Sequence, residues 1–277
     1  MKNWTLDDIS WQDFNPHFVK PELVPIVKAA SMVESNAADY ATYLKNVFHD
    51  DLEFQDAARD WAVEEVQHGQ ALGRWAEMVD PTFNYQSCFE RFAKGYKIAV
   101  NSSASIRGSR SGELIARCIV ETGTTSYYTA LRDASQEPLL KEICRLIAAD
   151  EFRHYKLFYI HLKRYLKKEN VGKLRRLVIA LGRMWESEGD DELPYAYYAA
   201  NSQMDNSYSH SLYSAEYGAR VYPLYQQYHL RKASSMVMKA VGLEPQGQIS
   251  QLMTKGLTKL VAYRGQKLRQ QVMQQHS

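Results

Sequence analysis

Four stretches of the sequence repeat apolar residues at alternating steps of three and four, and each stripe is interrupted by a carboxylate at a matching place. The first runs Val27, Ala30, Glu34, Ala37, Ala41, Leu44, Phe48; the second Phe54, Ala58, Trp61, Glu65, His68, Leu72, Trp75, Val79. The third runs Leu114, Cys118, Glu121, Thr125, Tyr128, and the fourth Leu140, Cys144, Ile147, Glu151, His154, Phe158, His161. Steps of three and four place all members of a stripe on one helical face, the face that packs against neighbours. The spacing therefore predicts an all-α chain in which four helices bury charge at one level. Short turns near Asp50 and Gln136 join helices one and two, and three and four, as antiparallel pairs. The stretch from Pro81 to Arg110 is long enough for a crossover, with a helix of its own around Phe89–Ala99.

The buried charges share a pattern. Glu65 with His68 and Glu151 with His154 are both Glu-x-x-His, so each pair directs a carboxylate and an imidazole to the same side. Glu34 precedes Glu65 by 31 residues and Glu121 precedes Glu151 by 30, one antiparallel helix pair in each case. Four unpaired carboxylates inside a bundle are strongly destabilising, and two imidazoles cannot neutralise them. Bound cations can. Four Glu and two His are the ligand inventory of a dinuclear iron or manganese site in a four-helix bundle.

Composition removes competing classes. Glycine (14) and proline (8) are scarce, which disfavours a turn-rich sandwich or barrel. The three cysteines, Cys88, Cys118 and Cys144, form no C-x-x-C pair, which excludes a disulfide scaffold, a cysteine-rich zinc site and a rubredoxin-like module. No stretch approaches 18 consecutive apolar residues and the first ten contain no apolar run, so a cytoplasmic protein without a membrane span is expected. The net charge of +2 conceals an asymmetry: residues 1–160 are acidic and residues 161–277 basic.

Trp61, Glu64, Glu65, His68 and Gly69, set as W-x-x-E-E-x-x-H-G, and Asp150, Glu151, Arg153 and His154, set as D-E-x-R-H, resemble motifs of the ferritin-like di-iron carboxylate superfamily. Within it the chain is most similar to the soluble acyl-acyl-carrier-protein desaturases and their bacterial relatives. The resemblance covers roughly residues 25–165. It implies a ferritin-like four-helix bundle with one long crossover, over about residues 23–167, and a C-terminal helical extension over about 168–277, the whole forming a single domain. It further implies that Glu65 and Glu151 bridge two Fe ions (Mn being possible at either position), that Glu34 with His68 and Glu121 with His154 complete the two sides, and that Asp150 orients His68. Thr124 and Thr125, beside Glu121, stand where relatives place a threonine, and one of them is expected to deliver protons. His161, about 10 Å further along its helix than His154, is expected to be a core or surface histidine. Glu186, Glu188, Asp190 and His210 carry no spacing that makes any of them an additional ligand.

The implied activity is that of a non-haem di-iron oxidoreductase using O2 on a small organic or carrier-tethered substrate, by desaturation, hydroxylation or N-oxygenation. The alternative is a ferroxidase or an iron/manganese-binding protein without an organic substrate. Neither a rubrerythrin nor a ribonucleotide reductase small subunit fits, since the four-cysteine site is absent and Leu72 stands at the radical-tyrosine position. Without a redox module of its own, the chain needs an external donor such as a ferredoxin. The basic run Lys163, Arg164, Lys167, Lys168, Lys173, Arg175, Arg176 and Arg183, taken as a helix over 167–185, is either a solvated face or a dock for an acidic partner. Nucleic acid is not expected, because no recognition motif accompanies the charge. A homodimer is compatible with the sequence. Nine of the 19 tyrosines lie between Tyr195 and Tyr228 and are expected to pack the C-terminal helices on the bundle.

Overall fold

A computed structural model describes residues 4–203 and 207–275 of the chain, with the side chains of 187, 188 and 275 outside the description. Among the described residues there are helices and no strand. After four short 3-10 turns (residues 6–23), the helices are α1 (Val24–Ser35), α2 (Ala37–Val47), α3 (Leu52–Val79), α4 (Tyr85–Gly95), α5 (Arg110–Ala134) and α6 (Pro138–Leu166). They continue as α7 (Lys173–Gly189), α8 (Glu192–Asn201), α9 (His210–Val221), α10 (Gln227–Val241) and α11 (Gln248–Gln275).

The boundaries follow from local chemistry. Asp51 caps α3 by accepting from the Phe54 amide at 3.2 Å, and Ser109 caps α5 by accepting from Gly112 at 3.0 Å. Glu137 caps α6 with bonds from the amides of Leu139 (3.1 Å) and Leu140 (2.7 Å). Gly242, at φ 79, ends α10 in the left-handed conformation that glycine adopts without strain.

Three expectations need correction. The first stripe is not one helix: at Asn36 (φ −84, ψ 3) the chain leaves helical geometry and restarts as α2, although both pieces pack on α3. The crossover helix is Tyr85–Gly95, because Asn84 caps it by accepting from the Ser87 amide at 2.8 Å. The basic helix begins at Lys173, not Lys167. Glu169 is drawn out of helix to accept from the α5 amides of Arg110 (3.2 Å) and Ser111 (2.7 Å), and the chain reverses there. At its far end α7 runs on to Gly189, beyond residue 185.

The interior is layered. One apolar cluster holds Ile26 and Met32 of α1, Leu72 and Trp75 of α3, Tyr128 of α5 and Cys144 and Ile147 of α6. A second holds Leu44, Phe54, Trp61, Leu114, Cys118 and Phe158, at the other end of the same helices. Between them, on α1, α3, α5 and α6, sits the level of Glu34, Glu65, Glu121 and Glu151. The later helices thicken both clusters: α8 packs on α1, bringing Ala196 and Tyr197 to the first, while α7 and α10 pack on α5, bringing Ala180 and Val237 to the second. Tyrosines 197, 213 and 217 join the first cluster. At the polar level α1 and α3 meet closely. A Cβ on Gly69 would lie 2.9 Å from the Ser31 carbonyl oxygen, so the position after His68 admits no side chain.

Candidate metal centre

Six side chains predicted from the sequence converge between the apolar layers. Glu34, Glu65, His68 and Glu151 form one group, and Glu65, Glu121, Glu151 and His154 form another; within each, the potential ligand atoms lie within 4.8 Å of one another. Glu65 and Glu151 belong to both. All six are at most 7% exposed. Such groups could hold a metal ion.

The two imidazoles are arranged alike. His68 Nδ1 faces inward, 3.1 Å from Glu65 and 3.2 Å from Glu151. His154 Nδ1 faces inward, 3.1 Å from Glu65 and 3.8 Å from Glu121. The outward nitrogens meet carboxylates: His68 Nε2 is 3.1 Å from Asp150, and His154 Nε2 is 2.7 Å from Glu64. Each supporting carboxylate precedes the shared Glu of its own helix and reaches the histidine of the other. Arg153 donates to both, joining Asp150 and Glu64. Trp4 donates to Asp150 at 2.7 Å and stacks over His68 at 5.9 Å.

The threonines part company. The Thr124 hydroxyl donates to Glu151 Oε2. Thr125, fully buried, donates to the Glu121 backbone carbonyl at 2.6 Å, the back-bond usual for a mid-helix threonine. Tyr128 donates to Glu34 Oε1. His161 lies apart, accepting from Arg164 at 2.8 Å with its ring edge-on to Phe54. Of the other acidic candidates, Glu186 pairs with Arg107 at 2.6 Å, Asp190 accepts from the Glu192 amide at 3.1 Å, and His210 lies 3.9 Å from Asp191, none of them in either group. The side chain of Glu188 falls outside the described residues.

Sequence reading assigned no role to Glu64, Tyr128 or Trp4. For Glu64 a signal existed, since Glu64 stands before Glu65 as Asp150 stands before Glu151. Trp4 reaches the site from outside any periodic segment, and nothing local marks it.

The electrostatics show what the side chains lack. Burial, and then the Glu65 charge, push the Glu34 carboxyl up to about 8. Burial, with Glu151 and Glu65, raises Glu121 well above the usual carboxylate range. For His68 burial pulls the pKa down, but the surrounding carboxylates of Asp150, Glu151, Glu34 and Glu65 outweigh it and hold the imidazole well above its ordinary value. His154 behaves likewise through Glu65 and Glu64. Asp150 goes the other way: burial raises it, yet His68 and Arg153 hold it at about 2. Both oxygens of Glu121, Oε1 of Glu151 and Nδ1 of His154 are buried without a hydrogen-bond partner. Buried polar atoms are rarely left so. Acceptors and an imidazole nitrogen converging on one interior space are a donor set that could hold a metal ion.

No protein-family model matches the sequence, and no curated protein matches it.

Proposed function

We propose that the chain is a ferritin-like di-iron protein that activates O2 to oxidise a small organic or carrier-tethered molecule. The observation that carries this reading is the pair of overlapping, buried Glu/His groups with Glu65 and Glu151 in common. Glu34, Glu65, His68, Glu121, Glu151 and His154 would hold two metal ions, and iron bound there would supply the O2 chemistry.

The chain's own residues do the rest. Asp150 and Glu64 accept from the Nε2 hydrogens of His68 and His154, so each Nδ1 is left to bind and each ring is fixed in orientation. Tyr128 holds Glu34, and Thr124 holds Glu151 while keeping a hydroxyl proton at the edge of the site. Phe54, Trp61 and Phe158 on one side, and Leu72, Trp75 and Ile147 on the other, exclude water. Ligands at most 7% exposed suit a reaction that must be shielded, more than the iron traffic of a storage protein.

An acidic donor or carrier is the partner this reading requires. The basic run after Lys163 is not one face, because Arg164 pairs with Asp51 at 2.5 Å and the Arg176 Nε donates to the Val171 carbonyl at 2.7 Å. A groove of about 970 Å³ between α6, α10 and α11 suits an acidic partner better. Its lining includes Arg231, Lys232, Lys239 and Lys255 but no carboxylate, and Phe152 in its floor adjoins Glu151 in sequence.

The test is anaerobic loading with Fe(II), metal analysis, and then exposure to O2. The expected result is about two iron per chain, O2 consumed without iron accumulating beyond that ratio, and loss of iron in Glu65→Ala. Folded wild-type protein that takes up no iron or manganese overturns the metal site. Progressive accumulation of ferric iron overturns the oxidase reading in favour of a ferroxidase.

A further inference from the structure

Helix α7 has two apolar faces. Leu177, Ala180 and Met184 pack into the second cluster. Leu174, Val178, Leu181 and Trp185 point away from it and are 76, 60, 49 and 77% exposed. Single exposed leucines are ordinary; a straight row of four ending in tryptophan is not. The row is about 16 Å long and occupies a narrow sector of the helix.

We propose that this row is the interface of a homodimer, formed by antiparallel pairing of α7 with α7 of a second copy. Three features select that occupant. The spacing of four, three and four reads the same in both directions, so a two-fold axis sets Leu174 against the partner's Trp185 and Val178 against the partner's Leu181. The flanking charge is the reverse of symmetric along the helix: Arg175 lies near its start and Glu186 near its end, both on the same flank of the row. The two-fold axis of an antiparallel pair keeps flank on flank, so Arg175 of each copy faces the partner's Glu186, whereas parallel pairing turns that flank to the partner's opposite flank and brings no such charges together. Arg107 holds both oxygens of Glu186 at 2.6 Å while Glu186 remains 49% exposed, so the partner's Arg175 would join an existing ion pair. Gly182 shares that flank, and nothing lies within 4 Å of where its Cβ would be, so an opposing backbone can come close.

An anionic lipid surface fits less well, because Glu186 stands at the tryptophan end of the row. Four apolar side chains per copy make a small interface, so a dissociation constant on the order of micromolar is expected. The inference is independent of the metal site.

Sedimentation velocity on the full chain from about 1 to about 100 µM should show a concentration-dependent dimer, and Leu181→Asp should weaken it at least about 100-fold. Leu181→Asp and wild type should keep the same far-ultraviolet circular dichroism. Orientation is read by disulfide trapping, with little background because Cys118 and Cys144 are buried and Cys88 is half-buried. Mixed Val178→Cys and Leu181→Cys chains should cross-link, while Leu174→Cys should not cross-link to itself, its two copies being about 16 Å apart. A monomer across the whole range overturns the proposal, as does Leu174→Cys self-linkage. A chain that stays monomeric but sediments with phosphatidylglycerol vesicles overturns it in favour of a lipid surface.

Discussion

Glu137 and Glu121 are both fully buried carboxylates on the paired helices α5 and α6 and the turn between them, and they are opposites. Glu137 accepts from the amides of Leu139, Leu140 and Asn15 (3.1, 2.7 and 3.0 Å) and from the Trp75 indole at 2.8 Å. Glu121, 1% exposed, has no hydrogen bond to either oxygen. Burial alone therefore does not mark a functional carboxylate. A carboxylate that cements a helix start is surrounded by donors, whereas Glu121, in a group that could hold a cation, is surrounded by other acceptors.

Substitution should separate the two most sharply. Glu137→Ala leaves four buried donors unpaired and is expected to cost about 3–5 kcal/mol in chemical denaturation, with or without metal. Glu121→Gln should do the reverse in the metal-free protein, stabilising it by about 1–2 kcal/mol by removing an unpaired buried acid, while lowering the bound iron. Equal destabilisation by both would end the distinction.

The next largest effect is pH dependence. Without metal, Glu34 keeps its proton to about pH 8 against an ordinary 4.5, and Glu121, His68 and His154 are shifted in the same direction. The folded chain then binds more protons than the unfolded one, so metal-free stability is highest near pH 5 and falls as pH rises towards 8. Metal bound as proposed would displace those protons, so apparent iron affinity should rise over the same interval. Denaturant titrations of metal-free protein that improve steadily from pH 5 to 8 would contradict this account.

A smaller effect tests the supports. Glu64→Gln and Asp150→Asn should each weaken metal binding about 10–100-fold, measured by chelator competition, without emptying the site. The two should be similar, because each carboxylate holds one histidine and both share Arg153. A response confined to Asp150 would break the symmetry between the two halves.

Much of this was legible in the sequence, for a physical reason. Periodicity reports which side of a helix is buried, so Glu34, Glu65, His68, Glu121, Glu151 and His154 could be assigned to one interior level before any coordinates. Local signals did not reveal the break at Asn36, since the apolar stripe continues through it on both pieces. They also failed to separate Thr124 from Thr125. Adjacent helical positions point about 100° apart, and only the position of α6 decides which hydroxyl finds Glu151.

The sequence by itself determined an all-helical chain with four buried carboxylates and two histidines in register, because helical period and antiparallel spacing are local properties. The tertiary structure alone decided that Glu64 and Asp150 each support the histidine of the opposite helix, that Trp4 and Tyr128 reach the same centre, and that apolar layers close it above and below. It also decided that α7 keeps a second apolar face in solvent. Those outcomes depend on which helices meet and at what rotation, and no periodicity along a single chain records that.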